Sequence, residues 1–195
     1  MTETELADIK ACLDVLRRGG IIVYPTDTIW GIGCDACSSA AVKKVFELKK
    51  RADAKALISL VGSEGQLERT VADIPEVAWQ LIEYNEKPLT IVYDSPVPEA
   101  GLAPELLASD GSLGVRLTSD AFCAELCRRL GHPLVSTSAN VSGEKAPACF
   151  ADISPEITAG ADYVCLYRRD EKPSDGVPST VMRLSAGGLF KVLRP

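Results

Sequence analysis

The 195-residue sequence has one histidine, His132. That excludes a multi-histidine metal site and leaves histidine acid–base chemistry a single candidate. Aromatic residues make up only 6%, too few for an aromatic-rich surface on which nucleic-acid bases stack. No run approaches the ~18 unbroken apolar residues of a membrane span. The start, MTETELADIK, lacks the basic cluster and apolar run of a secretory leader. Cations are in deficit: 21 Lys and Arg against 27 Asp and Glu leave a net charge of −6. Such a balance argues against a protein that coats nucleic acid by bulk charge. Neither G-x-x-x-x-G-K-S/T nor G-x-S-x-G occurs, so a Walker-type phosphate loop and a serine-nucleophile elbow are both missing.

What is present describes an ordinary globular chain, 46% hydrophobic and 25% charged, long enough to bury a core without staples. There is no repeat, low-complexity tract or linker, so one domain over residues 1–195 is expected. The seven cysteines (Cys12, Cys34, Cys37, Cys123, Cys127, Cys149 and Cys165) are odd in number and irregularly spaced. A disulfide framework is therefore not expected, and a cytoplasmic protein with reduced thiols is. Cys34 and Cys37 form C-x-x-C, and Cys123 and Cys127 lie four apart in a helical pattern. A zinc site using all four, or a redox pair, stands against the default of small buried hydrophobes.

Periodicity places a helix over 4–18, stopped by Gly19-Gly20, and a short buried strand from Ile21 to Tyr24. Ser38 or Ser39 caps a helix to about Lys50. A strand from Ala56 to Val61 precedes helices over 64–72 and 75–85, and Leu89–Tyr93 is the next strand. A Pro-rich loop leads to a strand at Leu113–Leu117, a helix at Ser119–Leu130 and a strand at Pro133–Ser136. Three strands close the chain, at Tyr163–Tyr167, Thr180–Leu184 and Leu189–Leu193. Alternation followed by consecutive strands predicts an α/β fold, a mixed parallel/antiparallel sheet with flanking helices.

Four segments place polar residues at strand ends, where α/β sheets build their sites. In Y-P-T-D-T-I-W-G-I-G, two threonines and an aspartate follow a strand, and Gly31 and Gly33 allow close backbone approach. The G-x-G-x-x-A match there is too far from the strand for a dinucleotide fingerprint. Six cations (Lys43, Lys44, Lys49, Lys50, Arg51 and Lys55) fall within thirteen residues. They read equally as a solvated helix end or as a polyanion site. Arg116, in S-L-G-V-R, alternates into a buried strand and needs an anionic partner. In P-L-V-S-T-S-A-N-V-S-G, hydroxyls and an amide follow a strand, neutral groups able to hold phosphate or sugar.

In this order and spacing the segments resemble the YrdC-like family, the threonylcarbamoyl-AMP synthases of tRNA modification. The pieces are GGIIVYPTDTIWGIGCDA, AVKKVFELKKRADAKAL, LGVRL, PLVSTSANVSG, PSTVMRL and VLRP, spanning nearly the whole chain. The K-x-R pair (Lys49, Arg51) and S-x-N pair (Ser138, Asn140) carry the signature. The resemblance implies a twisted sheet with a concave basic cleft. It implies ATP-dependent synthesis of threonylcarbamoyl-adenylate from L-threonine and bicarbonate (as CO2), with pyrophosphate released and Mg2+ accompanying ATP. Hand-off to a separate transferase complex acting at adenosine 37 of tRNA follows from it. Catalytic positions by resemblance are Lys49 and Arg51. ATP is expected at Lys49, Arg51, Lys55, Ser112, Ser136, Ser138, Asn140 and Arg194, and threonine at Thr28, Arg116 and Ser179, with no protein metal ligand. Where the family has K-P-L, a Pro-Gly pair and a histidine, this chain has Lys55-Ala56-Leu57, Glu86-Lys87-Pro88 and Ser59-Leu60. The alternative is a YciO-like paralogue, or a double-stranded RNA or tRNA-binding module of the same fold without turnover.

Overall fold

The computed structural model describes residues 1–50, 57–172, 177–184 and 190–194. Helix α1 (Glu3–Leu16) opens on a capping box, with the Thr2 hydroxyl accepting from the Glu5 backbone and the Glu5 carboxylate accepting from Thr2. Strands β1 (Ile22–Tyr24) and β2 (Gly31–Gly33) flank the P-T-D-T turn. Helix α2 (Ser39–Leu48) is capped by Ser38, whose side chain accepts from the Ala41 amide. Strand β3 (Ile58–Val61), helices α3 (Glu64–Thr70) and α4 (Glu76–Tyr84), and β4 (Leu89–Tyr93) follow. Then come β5 (Leu113–Leu117), α5 (Ala121–Leu130) and β6 (Leu134–Ser138). Helix α6 (Pro155–Gly160), β7 (Tyr163–Val164), β8 (Thr180–Leu184) and β9 (Phe190–Arg194) complete the described elements.

Among the described residues, nine strands join in the order β7-β1-β2-β6-β3-β5-β4-β8-β9. The pairs β3–β5, β4–β8 and β1–β7 are parallel, and the rest are antiparallel. The mixed α/β sheet expected from the alternation is what forms. No helix among the described residues is long and apolar enough to cross a membrane.

Three departures have physical causes. Strand β2 was not foreseen because its sequence is Gly-Ile-Gly, poor in strand-formers. Gly33 is a packing requirement: a Cβ there would lie 2.8 Å from the Tyr24 ring and 2.8 Å from the Val135 carbonyl. Helix α6 is short, with Pro155 at its first turn, and reads in sequence as part of a polar loop. Strand β6 runs two residues past Ser136, because Gly31 and Ile32 of β2 pair with Ser138 and Thr137.

Helix α5 packs on α1 and on β3. Just past β3, a Cβ on Gly62 would lie 2.4 Å from the Ala124 carbonyl of α5. Phe122, Cys123, Leu126 and Cys127 of α5 are fully buried.

Candidate functional site

A cleft of about 540 Å3 opens where several chain segments converge, within the range of small-ligand sites. Its wall is formed by the 26–31 turn, the C-terminal end of α2, the start of β3, Arg116 of β5, the end of β6 and the loop after it (Ser136 to Gly143), Ser179 just before β8, and Arg194 at the end of β9.

The turn is organised by Thr26. Its hydroxyl donates to the Ile29 carbonyl (2.7 Å) and accepts from the amides of Thr28 (3.1 Å) and Ile29 (3.2 Å). This leaves Thr28 facing β5, where its hydroxyl accepts from Arg116 Nη1 at 3.4 Å. Arg116 is only 4% exposed. Asp27 Oδ1 approaches its Nη2 at 3.0 Å, as an ion contact without hydrogen-bond alignment. Arg116 Nε is buried and has no acceptor among the described residues. A buried guanidinium with an unused donor is costly unless an anion completes it.

Arg194 lies nearby. It donates to the Ser179 carbonyl at 2.7 and 3.1 Å, and the Ser179 hydroxyl shares a 2.8 Å hydrogen bond with Thr90. Burial, and then the charge of Arg116, lower the pKa of Arg194. Two guanidiniums therefore repel across this end of the cleft.

Lys49 ends α2 and is 2% exposed. Its ammonium donates to the carbonyls of Ser138 (2.5 Å) and Asn140 (2.7 Å), and its own carbonyl accepts from the Ser142 amide (2.9 Å). The residue stitches the helix end to the loop after β6. Lys50 adopts φ 49°, leaves the helix and pairs with Glu156 at 2.7 Å. Asn140 Nδ2 donates to the Val141 and Glu144 carbonyls, while its Oδ1 is buried with no partner among the described residues.

Of the eleven residues that the resemblance assigns to ATP or threonine, eight line this cleft: Thr28, Lys49, Arg116, Ser136, Ser138, Asn140, Ser179 and Arg194. Ser112 is elsewhere. It lies four residues before Arg116, about 13 Å along β5, and its hydroxyl donates to Asp110 at 2.6 Å. Arg51 and Lys55 lie outside the described residues. In the cation cluster, Lys43 pairs with Glu105 and Lys44 reaches the Gly19 carbonyl, so neither faces the cleft. Lys50 of the cation cluster also lines the cleft, and Asp27 of the P-T-D-T turn stands behind it as the ion partner of Arg116. Glu144 carries no signal in the sequence, and only the spatial return of the chain brings it in.

The cysteines do not form a four-thiol site. Cys34, Cys123 and Cys127 are fully buried. Burial pushes all three thiols up, Cys127 to about 12. Cys123 and Cys127 spend their S–H on the carbonyls of Pro25 and Leu60. Cys37 and Cys149 are partly exposed.

The family model Sua5_yciO_yrdC, described as "Telomere recombination", matches residues 14–195. A threonylcarbamoyl-AMP synthase of Chromohalobacter salexigens is 38% identical over 154 residues, 78% of this chain and 80% of its own. One of Hahella chejuensis is 31% identical over 185 residues, 94% of this chain and 97% of its own. Among solved structures, P. abyssi Sua5 complexed with L-threonine superposes with a TM-score of 0.84 at 27% identity over 98% of this chain. This chain spans about half of that one, 54%. E. coli YciO shares the fold, with a TM-score of 0.77 at 22% identity over 97% of this chain and 89% of its own.

Proposed function

Because the chain belongs to the Sua5/YciO/YrdC family, we propose that it makes threonylcarbamoyl-adenylate and pyrophosphate from L-threonine, bicarbonate (as CO2) and ATP. The product serves N6-threonylcarbamoyladenosine formation at position 37 of tRNA, through hand-off to a transferase complex. The observation that carries this reading is Arg116, buried at 4% exposure with an unpartnered Nε beside Thr28. An amino-acid carboxylate completes its fork, with the hydroxyls of Thr28 and Ser179 on either side.

The described lining carries Lys49, Lys50, Arg116 and Arg194 against one carboxylate, Glu144. This is a cleft that takes polyanions, and Ser136, Ser138 and Asn140 supply neutral partners for nucleotide and phosphate. By the resemblance, Arg51 and Lys55 are assigned to ATP as well. A hard divalent ion fits the oxygen donors present, Glu144 and the serine hydroxyls, as a species that keeps phosphate and water ligands. When bound, Mg2+ supplies charge neutralisation on the phosphates.

The reaction asks little covalent chemistry of the protein. Threonine's amine adds to CO2 and loses a proton to give a carbamate. A carbamate oxygen attacks the α-phosphorus, the bond to the bridging oxygen breaks, and pyrophosphate leaves. Arg116 and Thr28 fix the amino acid, and the Lys49-stitched loop fixes the nucleotide. Positioning and charge stabilisation then suffice. No histidine takes part, since His132 precedes β6 at the end away from Ser138.

The test combines ATP, bicarbonate, threonine and Mg2+ with purified protein and detects the adenylate by mass spectrometry. Product lost in Arg116→Ala is the expected result. No product above that control overturns the reading, and salt-steep duplex-RNA binding without product favours a binding module instead.

A further inference from the structure

At the end of the sheet away from the cleft, three different ligand types converge. We propose that Asp35, Cys37 and His132 form a binding site for one thiophilic divalent cation of the zinc class. One ligand atom from each, a carboxylate oxygen, the thiol sulfur and a ring nitrogen, lies within 4.8 Å of the other two. His132 Nδ1 and Asp35 Oδ2 are already 3.0 Å apart. Metal–ligand bonds of about 2.0–2.3 Å in a tetrahedron put ligand atoms roughly 3.3–3.8 Å from one another. Closing the difference takes side-chain rotation of about 1 Å, and His132, 52% exposed, has the room for it.

The backbone that carries the three is held on both sides. Asp35 pairs with Leu134 in an isolated bridge. The Ala36 amide donates to the Pro133 carbonyl (3.0 Å) and the Val135 amide to the Cys34 carbonyl (2.8 Å). Residues 34–36 and 133–135 are thus a continuation of the β2–β6 ladder, and His132 enters it at a fixed place. Asp35 is oriented as well: its Oδ1 accepts from the Cys37 amide at 2.9 Å, which leaves Oδ2 turned to His132. A ligating carboxylate anchored by such a hydrogen bond is the ordinary outer support of a metal site.

The donor set selects the ion. A thiolate, an imidazole and a carboxylate suit zinc or cobalt and not magnesium, which demands oxygen ligands. Thiolate and carboxylate together neutralise the 2+ charge, and water takes the fourth position. Binding forms bonds to sulfur, nitrogen and oxygen, and releases the Cys37 thiol proton to solvent. The S–H contact to the Ala100 carbonyl, at 3.3 Å, is given up. The ion ties the lead-in of α2 to that of β6, the two elements whose far ends carry Lys49 and Ser138.

Titration of Co2+ into the metal-free full chain tests this. A cobalt–thiolate charge-transfer band saturating at one equivalent is expected, displaced by Zn2+ and not by Mg2+. Cys37→Ser abolishes the band, and His132→Gln weakens binding at least about tenfold. Zn2+ raises the thermal midpoint of the wild type and not of Cys37→Ser. Both substituted side chains are partly exposed, and near-UV circular dichroism verifies their fold. Absence of the band, or its persistence in Cys37→Ser through another thiol such as Cys149, overturns the proposal.

Discussion

Lys49 shows how a charged residue can be both buried and structural. Its ammonium donates to two loop carbonyls, so its removal leaves two acceptors without that donor. Lys49→Met is expected to lower stability by about 1–3 kcal/mol and to abolish adenylate formation, read by urea unfolding and product assay. In the sequence, Lys49 reads as one of six clustered cations, and spacing alone cannot separate it from Lys43 and Lys44, which face elsewhere. Arg116 was more legible, because an arginine inside an apolar strand demands a counter-charge wherever the strand goes. Asp27, its ion partner across 89 positions of chain, carries no such local signal. Gly33 is the converse case, a residue whose lack of a side chain matters. Gly33→Ala sets a Cβ against the Tyr24 ring and the Val135 carbonyl. A loss of about 1–3 kcal/mol is expected, measured by the same unfolding curve.

Elements bounded by strong punctuation were readable from the chain. Strands Leu89–Tyr93, Leu113–Leu117 and Thr180–Leu184 are found where apolar alternation predicts them. Those defined by partners were not: β2 is a strand because β1 and β6 flank it, whatever its propensity. Helix α5 carries a testable pH effect. Arg128 first, then Arg129, hold the Glu125 carboxyl down to about 2 from its ordinary 4.5. A depressed folded pKa contributes stability above the unfolded value, and that contribution disappears as pH falls through about 2. Because both arginines are largely exposed, the neutral-pH effect stays under about 1 kcal/mol. Glu125→Gln is therefore expected to be slightly less stable than wild type at neutral pH and equal to it near pH 2, in parallel acid-unfolding series. At the helix start, Asp120 accepts from the Cys123 amide (2.9 Å) and pairs with Arg168 (2.6 Å). Asp120→Ala is expected to cost about 1–2 kcal/mol in thermal or urea unfolding.

Across the whole molecule, the net charge of −6 conceals a local excess of the opposite sign. Arg116 and Arg194 stand near each other with Asp27 as the ion partner of the first. If the proposed function holds, an anion bound between them relieves that repulsion, and ligand and fold are then coupled. L-threonine at a hundred times its Kd is expected to stabilise the protein by about 2.7 kcal/mol, seen as a higher thermal midpoint that Arg116→Ala does not show. The two arginines also belong to unequal parts of the sheet. Arg116 lies on β5, inside the order, whereas Arg194 ends β9, the last strand of it, with Phe190, Val192 and Leu193 about half or more exposed. Strand β9 is therefore expected to open locally at lower cost than β5. In deuterium exchange, the amides of β9 should exchange early in the free protein and become protected when ligand is added, while those of β5 stay protected throughout.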